Sequence, residues 1–365
     1  MLVVRAIRDT DVEELFDLIQ KSEYGLTTLK VSKEHLERRI ENSVFAFQQK
    51  DGKPAGQPYV FVMVDSTNGN IVGTSAIYSK TGGFEPLYSY EIKTSIHHSV
   101  DLDIRKEIDV LHLNREHNGP TEIGSLFLSP DYWGDGHGRL LSISRFLFMA
   151  EFPERFEDTT IAEMRGVVNQ DGHSPLWDAL GSHFFDINFP RAETLTAESK
   201  RFIADLMPEH PIYIPLLPES AQSVIGRVHK NTEPALRMLT REGFHSRNFV
   251  DIFDGGPTLH CETNEIRSFK DSLSCKVDVV DSIASNQNVL VSNGRMSYRA
   301  CLAPIDWDEA SPGICKVGKE AADLIEVQSG DSVRWVKPRP DDTKYERESL
   351  KKKHVEDSKR SRQSD

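Results

Sequence analysis

The spacing of hydrophobic positions changes several times along the chain, and each change predicts a new secondary-structure element. The apolar run at residues 2–8 predicts a strand, and the helical spacing of apolar positions in "DTDVEELFDLIQKS" predicts a helix after it. A second helix is expected over "SKEHLERRIENSVFAF", with Ser32 as its N-cap. Two strand-like runs joined at "STNGN" predict a β-hairpin.

The middle of the chain combines strands with a glycine-rich turn. Residues 80–120 are expected to hold longer strands, and "EIGSLFLSP" predicts a short buried strand. Glycines follow at alternate positions, Gly134, Gly136 and Gly138, and a helical pattern then extends over residues 138–156. The order strand, glycine-rich turn, helix is therefore predicted here.

Two later passages have a comparable pattern. The first contains the strand-like "TIAEMRGVV" and the helical "HSPLWDALGSHFF". The second, "SVIGRVHKNTEPALRMLTREGFHSRNFVDIFDGG", predicts a strand, a turn, a helix and another strand. Both helices end on a glycine and an aromatic residue about 60 residues apart, which suggests two tandem halves.

The length of 365 residues favours two to three domains. We predict an α/β fold, a mixed sheet flanked by helices, with a small β-rich domain near the C-terminus where short alternating runs follow one another. The predicted limits are 1–190 and 191–264 for the two halves, 265–337 for the β-rich domain and 338–365 for a charged, disordered tail.

Composition narrows the class of protein. A formal net charge of −13 argues against nucleic acid or an anionic membrane as the main partner, and no apolar run is long enough to span a bilayer. The four cysteines have no metal-ligand spacing, and no H-E-x-x-H motif occurs, so no metal is expected. The N-terminus enters a strand directly, without a leader pattern, which favours a reducing cytoplasmic compartment.

The glycine turn has the context of an anion-binding loop, because it lies between a strand and a helix N-terminus. A flexible turn is the structural alternative. A P-loop is excluded since Arg139 and Leu140 replace its lysine and hydroxyl residue, and the glycine spacing is one residue too short for a dinucleotide fingerprint. An acyl-CoA pyrophosphate loop remains, with Trp133 where such loops usually have Gln or Arg.

The order of elements resembles the GNAT N-acyltransferase superfamily. Longer segments, among them "SLFLSPDYWGDGHGRLLSISRF", "AEMRGV", "VIGRVHKNTEPA" and "NFVDIFDGGPTLHC", resemble the arginine N-succinyltransferase family in order across residues 1–337. The resemblance implies a GNAT-like fold and transfer of succinyl from succinyl-CoA to the α-amino group of L-arginine. It also implies a role in arginine catabolism to glutamate and succinate, with succinyl-CoA as co-substrate and no prosthetic group.

The resemblance also assigns roles to residues. His229 matches the family's proton donor, and its structural alternative is a helix-entry histidine that only caps or packs. Leu126 matches the succinyl-CoA-binding leucine, and Leu128 lies on the same strand, whose backbone would pair with the pantetheine arm. Gly134, Gly136 and Gly138 would hold the pyrophosphate.

Recognition of L-arginine requires carboxylates for the guanidinium and a cation for its carboxylate. Glu163, Asp251 and Asp254 are the carboxylate candidates, and Arg165 is available for a carboxylate of arginine or of the succinyl group. Each of these residues could instead form a structural ion pair or turn. The loop residues 27–28, both threonines, are further candidates for the acceptor pocket.

Two other functions stay open at this point. A related N-acyltransferase could act on ornithine or another basic amino acid, and a non-catalytic module could bind CoA with its β-rich region turned to a protein partner. The absence of a G-x-S-x-G motif argues against a serine hydrolase. The sequence does not determine the oligomeric state and permits a homo-oligomer.

Overall fold

A computed structural model describes residues 1–21, 32–169, 171–307 and 313–340. Within these ranges fifteen strands form one sheet, with ten α-helices around it. The strands are β1 (Leu2–Ala6), β2 (Pro58–Asp65), β3 (Ile71–Tyr78), β4 (Gly82–Ser99), β5 (Ile104–Asn118), β6 (Thr121–Leu128), β7 (Thr159–Glu163), β8 (Ile212–Tyr213), β9 (His245–Val250), β10 (Pro257–Glu262), β11 (Leu273–Val280), β12 (Asn288–Ser292), β13 (Arg299–Trp307), β14 (Ile314–Gly318) and β15 (Ser332–Val336).

The helices alternate with these strands. They are α1 (Val12–Gln20), α2 (Lys33–Gln48), α3 (His137–Glu151), α4 (Ser182–Phe185), α5 (Phe189–Glu198), α6 (Arg201–Leu206), α7 (Glu219–Gln222), α8 (Glu233–Arg241), α9 (Arg267–Lys270) and α10 (Lys319–Ile325). Ser32 caps α2 as predicted, its hydroxyl accepting from the backbone N–H of His35. None of the described helices combines the length and apolar character that a membrane crossing needs.

The sheet is mixed, which confirms the predicted fold class. Its order is β12-β15-β11-β14-β13-β1-β2-β3-β6-β7-β10-β9-β4-β5-β8. Among the described strands only β6–β7 and β11–β14 pair in parallel. The pair β6–β7 lies at the centre of the sheet, where α3 connects one strand to the other.

Helices cover both faces of the central strands. Helices α1 and α2 bury Leu15, Ile19 and Ile40 against the side of the sheet that carries Val60 and Val62. Helix α3 occupies the other face, and every residue from 140 to 149 is buried. A helix that is buried on all sides must pack against elements beyond the sheet as well, and α3 also contacts α9 and the C-terminal strands.

The C-terminal strands close on themselves. Strand β12 pairs with both β13 and β15, so that β11–β15 form a ring of five strands with their own apolar core and α10 packed against it. Strand β13 also pairs with β1, which joins this ring to the main sheet. The short alternating runs at 265–337 are therefore strands, as predicted.

Two predictions of individual elements were wrong. The helix over 138–156 ends at Glu151, because Pro153 cannot continue the backbone hydrogen bonds of a helix. The strand expected at the start of the second passage is instead a turn, with Gly226 at φ +74° and a single bridge from Val228 to Gly166. The predicted domain limits stay a prediction, and the tail from residue 341 onward lies outside the described residues.

Candidate active site

The central feature of the site is a split between β6 and β7. The two parallel strands pair only where Thr121 and Glu122 meet Thr160 and Ile161. Beyond this point β6 continues to Leu128, and in the described chain no strand pairs with that edge. A strand edge that no neighbouring strand covers can bind an extended ligand as an added strand would.

The predicted acyl-CoA leucines lie along this edge. Leu126 and Leu128 are half-buried and pack against the main core below α3. Their side chains therefore have a structural role, and the predicted contact of their backbone with an acyl-CoA stays a prediction.

A β-bulge distorts β6 at the start of the split. Ser125, at φ +52°, and Leu126 together lie opposite one residue of β3. The buried side chain of Arg145 donates from Nη1 to the carbonyl oxygen of Gly124 at 3.3 Å, and burial lowers the pKa of Arg145 to about 9. A buried cation thus lies beneath the bulge.

The glycine loop forms the N-terminal entry of α3. Gly134 and Gly136 have φ values of +114° and +84°, which explains why glycine is needed at these two positions. In the described chain the backbone N–H groups of Gly138 and Arg139 have no backbone acceptor. Free N–H groups at a helix N-terminus form a site for an anion such as a phosphate.

Trp133 does not supply the positive charge that an Arg at this position would bring. Its ring is 72% exposed, and its Nε1 donates to the carbonyl oxygen of Leu128 at 2.9 Å, which ties the loop to the end of β6. Positive charge comes instead from Arg139, whose pKa is lowered by burial and by the nearby Arg339 and Arg241. These three arginines line one pocket beside α3.

Three segments singled out in the sequence meet at the end of β7. Val228 bridges to Gly166, and the backbone N–H of His229 donates to the carbonyl oxygen of Arg165 at 2.8 Å. The carboxylate of Asp254 accepts from the N–H groups of Gly166 and Gly256, both at 2.8 Å. A Cβ on Gly166 would lie 2.4 Å from the backbone oxygen of Asp254, so only glycine permits this approach.

His229 is half-buried at the start of the turn that leads into α8. Its Nδ1 accepts from the backbone N–H of Asn231 at 3.2 Å, so the neutral ring carries its proton on Nε2. Burial lowers the pKa of His229, and the charges of Arg165 and Lys230 lower it further. The structure therefore leaves Nε2 as the ring atom for a ligand.

Several carboxylates lie near the end of β7. Burial raises the pKa of Glu163 well above its usual range, and Glu122 and Asp251 raise it further. Glu163 is exposed as a whole residue, so the charges of Glu122 and Asp251 act on a carboxyl group that solvent still reaches. Burial and Asp254 raise the pKa of Asp251 to about 7. Carboxyl groups that burial and neighbouring negative charge keep protonated favour a cationic ligand.

Arg165 and Asp254 have structural partners, so their predicted contacts with substrate stay a prediction. Arg165 forms an ion pair with Glu193 and lies 3.6 Å, from Nε to Oδ2, from Asp254. Burial lowers the pKa of Arg165, but these two carboxylates outweigh it and raise the pKa. Both residues fix the backbone that carries His229.

Sequence analysis missed Glu122 and Arg145. Glu122 was detectable as the one charged residue in the apolar segment "EIGSLFL", whereas Arg145 is hidden within a helical pattern. Residues 27–28 lie outside the described residues. In the part of the chain that the structure describes, no three His, Cys, Asp or Glu side chains converge as a metal-binding group.

Comparison with known proteins identifies the family. The family model described as "Arginine N-succinyltransferase beta subunit" matches residues 2–268, and the model of its C-terminal domain matches residues 274–337. The chain belongs to the arginine N-succinyltransferase family. The boundary between the two family models, between residues 268 and 274, falls between the main sheet and the five-stranded ring of β11–β15.

Relatives match over nearly their whole length. The arginine N-succinyltransferase of Escherichia coli (strain 55989 / EAEC) is 39% identical over 346 residues, which is 92% of this chain and 98% of that protein. The one from Shigella dysenteriae serotype 1 (strain Sd197) is 44% identical with the same coverage. The arginine/ornithine succinyltransferase subunit AI from Pseudomonas aeruginosa superposes with a TM-score of 0.85 at 36% identity, covering 93% of this chain and 99% of that one.

The carboxylates predict a pH-dependent effect of Asp251→Asn on stability. The pKa of Asp251 rises from 3.8 to about 7 in the folded chain, which therefore binds more protons than the unfolded chain between these values. The free energy of unfolding must then fall as pH rises through this window. We expect Asp251→Asn, measured by urea unfolding, to gain stability relative to the unmodified chain between pH 5 and pH 8.

Asp254→Asn provides the contrasting variant. Both oxygens of Asp254 accept from backbone N–H groups, and an amide nitrogen cannot accept, so one N–H group loses its partner. This variant should lose about 1–3 kcal/mol at both pH values. An effect of Asp251→Asn that stays constant with pH would contradict the account of the carboxylates.

Proposed function

We propose that this chain transfers the succinyl group of succinyl-CoA to the α-amino group of L-arginine, giving N2-succinylarginine and CoA. The observation that carries the proposal is that the backbone of His229 is held on Arg165, just beyond the end of β7 and its last residue Glu163, beside the open edge of β6. Membership of the family and the names of its relatives support the donor and the acceptor.

The donor half of the site would hold CoA from its phosphates to its thioester. The free N–H groups at the start of α3 and the guanidinium of Arg139 supply attraction for the diphosphate. The pantetheine arm would then follow the unpaired edge of β6 and bring the thioester to the bulge at Ser125. Positive charge from the buried Arg145 favours the oxyanion that forms there.

The acceptor half would bind the guanidinium through carboxylates. Glu163 and Asp251 suit this role better than Asp254, because Asp251 accepts from the backbone N–H groups of Phe253 and Asp254 through Oδ1 alone, whereas both oxygens of Asp254 accept backbone hydrogen bonds and its carboxylate also pairs with Arg165. Carboxylates whose pKa values are raised by burial and by neighbouring carboxylates become ionised when a guanidinium lies beside them. The substrate would therefore complete the charge balance of the site.

The transfer needs two proton movements. The α-ammonium of L-arginine loses a proton to become a nucleophile, and a carboxylate with a pKa near 7, such as Asp251, suits the acceptor of that proton. The amine nitrogen then bonds to the thioester carbon, the carbon–sulfur bond breaks, and the nitrogen loses its second proton. The protonated ring of His229 would deliver a proton from Nε2 to the leaving sulfur and regain one from the second proton of the nitrogen, so one proton in total, the one taken by Asp251, passes to solvent.

The wider context is also part of the proposal. The formation of N2-succinylarginine would serve arginine catabolism to glutamate and succinate, and it would take place in the cytoplasm. The chain would assemble with further subunits, as the word "subunit" in the name of the Pseudomonas aeruginosa protein suggests. Ornithine is the second candidate acceptor, because that protein is named for both amino acids.

Thiol release with a panel of substrates tests the function. We expect release of CoA from succinyl-CoA with L-arginine, and His229→Asn should reduce turnover by about a hundredfold or more because it removes Nε2. The Asn side chain can still accept from the N–H of Asn231, so the turn should stay intact. His245→Ala, at an exposed histidine on β9, is the matched control.

The panel also separates the alternatives. Turnover with ornithine in place of L-arginine would assign the other acceptor, and turnover with acetyl-CoA alone would reject succinyl-CoA as donor. Tight CoA binding without turnover of any amine would contradict enzymatic activity. Near-normal turnover of His229→Asn would remove the histidine from the mechanism while leaving the reaction in place.

Proton release on binding L-arginine tests the acceptor site. At pH 6.5 part of Asp251 is protonated, and a guanidinium beside it lowers its pKa, so binding should release protons. Calorimetry in buffers of different ionisation enthalpy measures this release. L-Citrulline, which replaces the guanidinium with a neutral group, should release none, and Asp251→Asn should release fewer protons with L-arginine. A binding heat that does not depend on the buffer would contradict the role of the carboxylates.

A further inference from the structure

One arginine near the split lacks the partners that the other buried arginines have. Arg39, in the middle of α2, is half-buried, with its guanidinium carbon 5.9 Å from the centre of the Tyr78 ring. Its Nη1 is enclosed by protein and has no hydrogen-bond acceptor among the described residues. An enclosed donor without an acceptor destabilises the folded chain, so this side chain suits a site that a ligand completes.

The surroundings of Arg39 connect it to the acyl end of the donor site. Tyr78 lies opposite Glu122 where β3 pairs with β6, and its hydroxyl is 3.4 Å from the hydroxyl of Ser125 at the bulge. The charge of Arg39 also reaches Glu122, where it opposes the effect of burial on the pKa of that carboxyl group. Arg39 thus lies on the α2 side of β6, next to the point where β6 and β7 separate.

Other cations near the site are less suited to bind a ligand's carboxylate. Arg165 is paired with Glu193 and Asp254. Arg145 donates hydrogen bonds to Ser142 and to the carbonyl oxygen of Gly124. The guanidinium of Arg39 is planar and can donate two parallel hydrogen bonds to one carboxylate. The guanidinium of Arg39 therefore suits a carboxylate carried by a substrate.

We infer that Arg39 binds the free carboxylate of the succinyl group and so selects a dicarboxylic acyl donor. The inference rests on the proposed succinyl transfer. The α-carboxylate of L-arginine is the other substrate group that Arg39 could bind. However, the protein carboxylates proposed to bind L-arginine lie near the end of β7, whereas Arg39 lies on the α2 side of β6. The succinyl group, attached to the thioester at the bulge, is the nearer of the two.

Two thioether analogues of CoA test the contact without turnover. S-(3-carboxypropyl)-CoA carries the carboxylate, and S-butyl-CoA has a methyl group in its place. We expect the unmodified chain to bind S-(3-carboxypropyl)-CoA about tenfold to a hundredfold more tightly than S-butyl-CoA, because charged hydrogen bonds raise an affinity by about this factor. Arg39→Gln should bring this preference close to onefold, and Arg39→Lys should keep part of it because the charge remains.

Controls separate a local effect from misfolding. Arg38→Gln changes the exposed neighbour on α2 and should keep the full preference. Unchanged affinity for CoA itself shows that the Arg39 variants are folded. An unmodified chain without preference, or Arg39→Gln with the full preference, would overturn the inference.

A further arm identifies the source of the carboxylate. Agmatine is L-arginine without its carboxylate. If Arg39→Gln binds L-arginine more weakly, binds agmatine as before and keeps the thioether preference, then Arg39 contacts the acceptor and the inference is overturned. Thiol release by the unmodified chain tests the reaction separately. A chain that prefers the carboxylated thioether yet shows no succinyl transfer would refute the proposed function while leaving the carboxylate contact in place.

Discussion

The parallel pairing of β6 with β7 stops after two residues, and the rest of the site depends on this early end. On β6, the bulge at Ser125 turns the backbone out of regular pairing. On β7, the chain leaves the strand at Arg165 and Gly166, where Asp254 and the segment before His229 hold it. Central strands normally satisfy both edges, so an unpaired central edge is costly unless something binds there. The fold thus keeps a slot open in the middle of its sheet.

Charge is distributed unevenly around this slot. Burial raises the pKa values of Glu163 and Asp251, and neighbouring carboxylates raise them further. Asp254 holds backbone N–H groups and Arg165 with both of its oxygens, whereas Asp251 accepts two backbone N–H groups through Oδ1 only. Asp254 therefore maintains the backbone, and Oδ2 of Asp251 is the better placed oxygen for a cation. The same separation of roles distinguishes Arg165, which is paired, from Arg39, whose Nη1 has no acceptor among the described residues.

Sequence patterns predicted the elements that depend on local preferences. The hairpin of β2 and β3, the Ser32 cap and the glycine turn before α3 follow from turn and capping chemistry within a few residues. The strand predicted before His229 is a turn, in which Gly226 adopts a left-handed conformation and Val228 forms a single bridge to Gly166. Arg39 escaped detection because its role depends on its approach to Tyr78 on β3 and to Glu122 on β6, which no local pattern encodes. The resemblance supplied His229, which spacing alone could not distinguish from a capping histidine.

A crystal structure of this chain with bound CoA would test the central claim most directly. We predict that the pantetheine amides bond to the backbone of β6 beyond the bulge, that the diphosphate lies at the first turn of α3, and that the sulfur lies beside Nε2 of His229. Pantetheine bound elsewhere, with the edge of β6 left open, would contradict the account even if the enzyme proved active.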